Sequence, residues 1–297
     1  MKTNERDNVR EDEIIFIGRN GTQDRRKSPK WLWWVCAALV LCVAAVVVIL
    51  CLSSRGASEE EDQTGLFEES VEVPADSASV ICCVDSTGRS CTEKIDTTVG
   101  SVPLTILVPR GAVPDLSVGA PDYDRNEYIL AAQAADIRAD NRQILGSFVL
   151  RGEVLTEGTS KKGFCAIIDG RITVGVSENT TLFDKAVETG GYFFRQYPLV
   201  DNGAPVRNDN LKNQTVRKAL CAKGGDIFVI ITGCDITMND FAVLLADFGV
   251  DNAIYLVGSS SSYGWYIPED GELVELGFDL HRQSYRNESY IRWRKVE

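Results

Sequence analysis

The sequence has a single histidine among its 297 residues, His281, near the C-terminus. Histidine is the usual base for serine and cysteine nucleophiles and a frequent metal ligand. Its scarcity therefore nearly excludes Ser-His-Asp catalysis, Cys-His catalysis and His-rich metal sites. The sequence also lacks a Cys-x-x-Cys pair, which argues against zinc. We predict no metal and no cofactor, and we interpret His281 as a surface or packing residue. Carboxylate, arginine, lysine, tyrosine and amide side chains remain available for catalysis.

The sequence also lacks an extended basic region. It contains 31 Lys and Arg residues against 43 Asp and Glu residues, which gives a formal net charge of −12. A nucleic-acid-binding surface needs clustered positive charge, and we find such clustering only in the short segment before Trp31. These features argue against a nucleic acid as a partner.

One long hydrophobic run stands near the N-terminus. Residues 31–52 contain no charged side chain, and as a helix they would span roughly 33 Å, enough for the hydrocarbon core of a bilayer. Four basic residues lie between positions 25 and 30, whereas residues 59–62 are all acidic. Positive charge stays on the cytoplasmic side, so we expect the N-terminus to be inside. The alternative is a cleaved signal peptide, but its apolar region is usually only about 7–15 residues long and lies nearer the N-terminus.

The hydrophobic run divides the chain into four predicted parts. Residues 1–30 are a cytoplasmic tail, 31–52 a transmembrane helix that acts as a signal anchor, 53–77 an acidic linker, and 78–297 an extracytoplasmic domain. We therefore expect a single-pass membrane protein whose C-terminal domain faces the periplasm.

Six of the nine cysteines follow the hydrophobic run and could form up to three disulfides in an oxidising compartment. Pairing of Cys82 or Cys83 with Cys91 would close a small loop. Cys221 and Cys234 flank a predicted hairpin and could face each other across it. The pairing itself is left open, because spacing alone does not determine it.

Turn signals between short apolar runs predict the fold class. Asp169-Gly170 separates two strand-like runs, and Lys223 to Asp226 separates two more. Thr237 can cap a helix whose apolar residues recur at helical spacing, and Gly249 suits the end of that helix. We predict an α+β fold with mixed β-sheets built from hairpins and a few packed helices, preceded by the transmembrane helix.

Two charged residues and one polar loop are the candidate functional groups. Asp136 follows an apolar run, has Arg138 at strand spacing, and could act as an acid or base. Arg217 could hold a phosphate or carboxylate bidentately if it points inward, or could be an exposed edge residue. Gly258, Ser259, Ser260 and Ser261 follow a buried strand and could bind an anion through hydroxyl and backbone N–H groups, or could form a plain turn.

Several segments resemble the phosphodiester glycosidase family over residues 128–296. Arg217-Lys-Ala-Leu-Cys resembles the family pattern R-x-A-x-G, and residues 240–256 resemble its helix and following strand. Ala135-Asp136-Ile137 stands where the family has Ala-Asn-Gly. In a second motif, L-D-G-G-G-S, the family aspartate falls on Val257, and its glycines fall on Gly258, Ser259 and Ser260.

The resemblance implies an enzyme that hydrolyses glycosyl phosphodiesters, with Arg217 binding the phosphate and Asp136 acting as acid or base. It also implies a glycan or phosphosugar ligand bound with the help of Arg138 and the Gly258–Ser261 loop. The replacement of the aspartate by Val257 favours an alternative, a module that binds glycans or envelope components without catalysis. A third possibility is a structural partner in an envelope complex; protein partners are left open. Convergence of Asp136, Arg217 and the serine loop on one pocket would favour a surviving site.

Overall fold

The structure is a computed structural model. It describes residues 79–80, 89–119, 126–158, 160–208, 212–258, 262–277 and 288–296. The predicted tail, transmembrane helix and linker, together with Cys82, Cys83, His281 and the serines at 259–261, lie outside the described residues. No helix within the described ranges is long and apolar enough to cross a membrane.

The described residues form eighteen strands and two short helices. In chain order the strands are β1 Ser79–Val80, β2 Cys91–Val99, β3 Val102–Arg110, β4 Ala112–Val118, β5 Tyr128–Gln133, β6 Phe148–Leu150, β7 Glu153–Thr156, β8 Gly163–Ile168, β9 Arg171–Val176, β10 Tyr192–Gln196, β11 Pro198–Asp201, β12 Ala204–Pro205, β13 Lys218–Lys223, β14 Asp226–Thr232, β15 Asn252–Leu256, β16 Gly264–Tyr266, β17 Val274–Leu276 and β18 Ser289–Lys295. The helices are α1 Leu182–Glu188 and α2 Met238–Asp247.

The strands form three sheets. Their orders are β1-β9-β8-β10-β6-β7, β12-β11-β15-β13-β14-β3-β2 and β17-β16-β5-β18-β4. This mainly β structure with two helices agrees with the predicted α+β class. The prediction of mixed sheets is wrong for the described residues, because every strand pairing in them is antiparallel. Six of the fifteen pairings join consecutive strands as hairpins, which can only be antiparallel, and the nine pairings between non-consecutive strands are antiparallel as well.

The largest core cluster takes buried side chains from all three sheets, including Phe148, Leu130, Ile254 and Trp293. Helix α2 covers the other face of the seven-stranded sheet, where Phe241 and other apolar helix residues pack in a second cluster. The seven-stranded sheet is therefore buried on both faces, which explains why its central strands are nearly continuous apolar runs.

The predicted helix after Thr237 is confirmed as α2. The Thr237 hydroxyl oxygen accepts a hydrogen bond from the Asp240 backbone N–H at 3.1 Å, so it caps the first turn. Gly249 follows the helix with φ of +82°, a left-handed conformation that glycine adopts without steric cost. The cap and the glycine together limit α2 to the length of the sheet that it covers.

The turn-forming residues between Pro114 and Arg125 predict a loop, and this prediction is wrong for the first part of the segment. Residues Ala112–Val118 form β4, with Pro114 opposite Trp293 of β18. β4 lies at the edge of its sheet and pairs with one strand, β18, within the described residues. Proline has no backbone N–H to donate to a second neighbouring strand, and at an edge none is needed.

The suggested bridge between Cys221 and Cys234 is not formed, because both are free thiols. Cys221 is buried in the core beneath α2, whereas Cys234 is exposed in the turn after β14. Residues that flank a hairpin can therefore face different environments, and sequence separation alone is a poor guide to pairing. The bridge from Cys82 or Cys83 to Cys91 stays a prediction.

The sheets present two distinct ends. Gly163 at the start of β8 pairs with Gln196 at the end of β10, so the residues just before β8 and at the end of β10 lie together. We call this the Asp136 end, defined by Asp136, Lys161, Gln196 and Ser262. The opposite end of the same strands is the Asp115 end, defined by Asp115, Tyr128, Arg151 and Tyr192. With six residues in β8, the two ends are about 20 Å apart.

Candidate functional site

A buried ion pair forms the centre of the Asp136 end. The Lys161 ammonium Nζ lies 2.5 Å from Asp136 Oδ2, and the side chains are only 2% and 13% exposed. Nζ also donates to Gln196 Oε1 at 2.8 Å. Burial lowers the pKa of Lys161, against the opposing effect of the Asp136 carboxylate. The ammonium is thus held at a fixed position, which suits a group that binds an anion.

Gln196 is fully buried and fixes the orientation of this pair. Its Nε2 donates to the Ala134 carbonyl at 3.3 Å, and its Oε1 accepts both from Lys161 and from the Tyr197 backbone N–H. These contacts determine which amide atom faces Lys161. An acidic side chain at position 196 would change the charge of the cluster, whereas glutamine leaves it unaltered.

The ring of Tyr197 lies beneath the Lys161 ammonium, with Nζ 4.5 Å from the ring centroid. Burial and the nearby Asp136 carboxylate raise the pKa of Tyr197 to about 12. The phenol therefore stays protonated at neutral pH. A cation over an aromatic face is stabilised by about 0.5–2 kcal/mol, so Tyr197 helps to keep Lys161 charged.

A second buried lysine belongs to β13. Lys218 is 3% exposed, its Nζ donates to the Ser262 carbonyl at 3.0 Å, and it also contacts Ser262 Oγ. Burial lowers the pKa of Lys218 to about 8. No carboxylate in the described ranges forms an ion pair with this ammonium. A buried cation with only neutral partners is costly, and its presence needs a reason.

Both lysine clusters lie at the same end of the paired strands β5 and β16. Gln196 of the first cluster bonds to the Ala134 carbonyl. Ser262 of the second cluster precedes β16 by two residues, and the antiparallel pairing of Gly264 with Ala132 places the start of β16 beside the end of β5. Asp136, which follows β5, and Ser262, which precedes β16, therefore lie at the same end of the five-stranded sheet, and the convergence of Asp136 with the serines at 259–261 stays a prediction.

Arg217 does not join this group. It is 2% exposed, its Nε donates to the Ile236 carbonyl at 3.1 Å, and its Nη2 donates to the Asn213 carbonyl at 2.6 Å. Its guanidinium lies near Tyr255, which belongs to the core beneath α2. Successive residues of a strand point to opposite faces, so Arg217 and Lys218 are separated by the sheet itself. The sequence pattern identified the strand correctly. It pointed to Arg217, however, whereas its neighbour Lys218 is the residue that contacts Ser262.

The other predicted residues have ordinary surroundings. Arg138 is exposed and forms an ion pair with Asp140 at 2.6 Å. Gly258 donates its N–H to the Tyr255 hydroxyl at 2.9 Å, and an added Cβ would lie only 2.5 Å from the Val216 carbonyl, so packing alone requires glycine there. Val257 is half-buried. The serines at 259–261 lie outside the described residues, and their role stays a prediction.

Sequence reasoning missed Lys161, Gln196, Tyr197 and Lys218. Lys218 carried a usable signal, because it alternates with the apolar Leu220 and Ala222 on the inner face of a strand. Lys161 carried none, since it is followed by Lys162 and resembles a polar loop residue.

The sequence profile of the phosphodiester glycosidase family matches residues 126–294, more than half of the chain. The chain belongs to the phosphodiester glycosidase family. A search of curated protein sequences finds no match.

Among solved structures, the fold is similar to the catalytic domain of zebrafish N-acetylglucosamine-1-phosphodiester alpha-N-acetylglucosaminidase, auto-inhibited by its pro-peptide. The TM-score is 0.52 at 14% identity, over 75% of this chain and 88% of the zebrafish chain. A hypothetical protein from Synechocystis gives a TM-score of 0.44 at 12% identity, over 69% of this chain and 61% of that one. At these identities the likeness to the zebrafish domain establishes the fold alone.

Proposed function

We propose that the chain hydrolyses glycosyl phosphodiesters at the Asp136 end. The supporting observation is a local excess of buried positive charge. Two buried ammonium groups belong to this end, Lys161 in contact with Asp136 and Lys218 in contact with Ser262. Asp136 is the one carboxylate that contacts either of them within the described residues of a chain whose net charge is −12. A phosphodiester carries one negative charge, so its binding would offset the cost of the unmatched ammonium. Family membership supports the same substrate class.

The cluster suggests a division of roles. Lys161 and Lys218 would bind phosphate oxygens, and Asp136 would accept a proton from a water molecule as the water oxygen attacks the anomeric carbon. The bond from that carbon to the phosphate oxygen would break, and the phosphate monoester would leave with the bonding electrons. Phosphate is a good leaving group, so a general acid is less needed than in the two-carboxylate glycosidases. Only one carboxylate belongs to the described cluster, which fits this scheme.

Arg217 then has a positioning role in place of the phosphate-binding role first expected. Its hydrogen bonds tie Asn213 and Ile236 to the start of β13, the strand that carries Lys218. Substitution of Arg217 would displace Lys218 indirectly.

The test is hydrolysis of glycosyl phosphodiesters, including an N-acetylglucosamine-1-phosphodiester, by the detergent-purified full-length protein. Lys161→Met should lower kcat/KM at least about 100-fold, because it removes a buried charged hydrogen-bond donor. Lys162→Met is the matched control: Lys162 is exposed and pairs only with Glu178, so activity should stay near wild type. Equal activity of the Lys161→Met variant and the wild type would contradict the proposed site.

A second candidate is a protein that binds phosphosugars without turning them over. Val257, which stands where the family has an aspartate, favours it, since valine cannot transfer a proton or bind a sugar hydroxyl. This candidate predicts saturable binding of N-acetylglucosamine-1-phosphate that Lys161→Met weakens, together with no product release from any phosphodiester tested. Turnover by the wild type above that of Lys161→Met would eliminate it.

We further propose that residues 31–52 anchor the domain in a membrane, with residues 1–30 in the cytoplasm and residues 78–297 in the periplasm. Basic residues before the hydrophobic run and acidic residues after it support this orientation. Protease added to intact spheroplasts should degrade the C-terminal domain. Protection of the domain in intact spheroplasts, with degradation only after lysis, would contradict the orientation.

A further inference from the structure

A cavity lies at the Asp115 end, opposite the end that carries the proposed hydrolytic site. Its volume is about 590 Å³, within the range of small-ligand sites. Tyr128 begins β5, Tyr192 begins β10 and Asp169 follows β8, and all three line the cavity. The six-stranded and five-stranded sheets both contribute to its walls.

The floor of this cavity is a buried, fully matched ion pair. Arg292 Nε donates to Asp115 Oδ1 at 2.9 Å, and the Tyr128 hydroxyl donates to Asp115 Oδ2 at 2.7 Å. The Arg292 guanidinium lies 3.9 Å from the Tyr128 ring centroid. Each carboxylate oxygen thus has a partner, so the floor is rigid and electrically neutral.

The rim is held by backbone contacts. Arg151 occupies the β6–β7 turn with φ of +51°, and both Arg151 and Tyr192 line the cavity. The next residue, Gly152, donates its N–H to the Gly191 carbonyl at 2.8 Å. An added Cβ at Gly152 would approach the Val187 carbonyl to 2.9 Å, so turn and loop are in tight contact. The wall that carries Arg151 is therefore preformed.

The charges around the cavity balance. Three carboxylates carry negative charge: Asp115, Glu127 and Asp169. Three guanidinium groups carry positive charge: Arg151 and Arg294 on the wall, and Arg292 in the floor. This contrasts with the excess of cations at the Asp136 end. Guanidinium groups donate hydrogen bonds and carboxylate groups accept them. Equal numbers of the two suit a neutral ligand with many hydroxyl groups, because adjacent hydroxyls can bond to both kinds of group.

The small apolar part of the lining also fits such a ligand. Val113, which is 38% exposed, and Pro114 offer a limited surface for C–H groups. A nucleobase or an apolar peptide side chain would need a larger apolar slot. We propose that the Asp115-end cavity binds a neutral saccharide of one to three units, separately from the hydrolytic site.

The test measures saccharide binding to the full-length protein in detergent by saturation-transfer NMR and calorimetry. The probes are neutral mono-, di- and trisaccharides of glucose, galactose, mannose and N-acetylglucosamine, with glucose 6-phosphate and glucuronate as charged controls. We expect at least one neutral probe to bind, and to bind more tightly than the charged controls. Arg151→Gly keeps the left-handed turn but removes the guanidinium, and it should weaken that binding at least about tenfold.

Two further variants locate the bound sugar. Arg142→Gly makes the same change at another left-handed arginine, φ +60°, outside the cavity, and should leave Kd unchanged. Lys161→Met alters only the opposite end and should also leave Kd unchanged. Absence of binding by every neutral probe would overturn the proposal, as would binding that survives Arg151→Gly but is lost in Lys161→Met. Neither result bears on phosphodiester hydrolysis, which is measured separately.

Discussion

The two ends of the sheets differ in whether their buried charges are paired with opposite charges. At the Asp115 end, Arg292 and Asp115 form a pair whose carboxylate oxygens all have partners. At the Asp136 end, Lys161 has its carboxylate, whereas Lys218 bonds to Ser262 and to no carboxylate among the residues that the structure describes. The first arrangement is complete without a ligand, whereas the second has an unmatched charge that an anion would neutralise. A buried lysine without a counter-ion among the described residues is thus a better guide to an anion-binding site than a buried ion pair.

The largest expected effect comes from breaking the matched pair. Arg292→Met leaves the Asp115 carboxylate buried with only the Tyr128 hydroxyl, and should lower the free energy of unfolding by about 3–5 kcal/mol. Urea unfolding followed by circular dichroism measures this loss. The control Arg110→Met removes two surface ion pairs, with Glu93 and with Asp226, and should have little effect. Equal loss in both variants would mean that the matched end contributes no more than a surface ion pair.

The next effect concerns pH. Burial lowers the pKa of Lys218 to about 8, from an ordinary value of 10.5. Between these values the unfolded chain holds a proton that the folded chain has released, so the contribution of Lys218 to stability rises with pH across this window. Below about pH 8 both states are protonated and the full cost of the buried ammonium remains.

Lys218→Met removes this pH dependence. The free energy of unfolding of the wild type, relative to that of the variant, should rise by about 3 kcal/mol between pH 7 and pH 10.5. Urea unfolding of both proteins at the two pH values measures the difference. A constant difference would mean that Lys218 is not desolvated, and the contrast between the two ends would then fail.

The smallest effect should come from Arg138→Ala. Arg138 and its partner Asp140 are exposed, and neither contacts Lys161 or Gln196. We expect unchanged stability and unchanged kcat/KM in the phosphodiester assay. A clear loss of activity would extend the functional cluster beyond Asp136 to the surface.

Local signals predicted local structure well. Asp169-Gly170 forms the predicted turn between β8 and β9, with φ of +51° and +74°, and Thr237 caps α2. β4 was missed because the proline and glycine signals around it resemble a loop, and only its pairing with β18 makes it a strand. Turn chemistry depends on neighbours in the chain, whereas strand pairing does not.

The candidate site was only partly predictable for the same reason. The sequence singled out Asp136, but Lys161 reaches Asp136 across a separation of 25 residues and Gln196 across 35. Such contacts arise when sheets pack, and no local spacing indicates them. The direction of Arg217 could not be fixed without the strand register, which sets the face that each side chain occupies.

The most direct measurement is the binding of N-acetylglucosamine-1-phosphate, followed by calorimetry in the wild type, Lys161→Met and Lys218→Met. If the Asp136 end is an anion site, the wild type binds saturably, each variant binds at least about tenfold more weakly, and unphosphorylated N-acetylglucosamine does not compete. Equal affinity of all three proteins for the phosphosugar would contradict the assignment of Lys161 and Lys218 to phosphate.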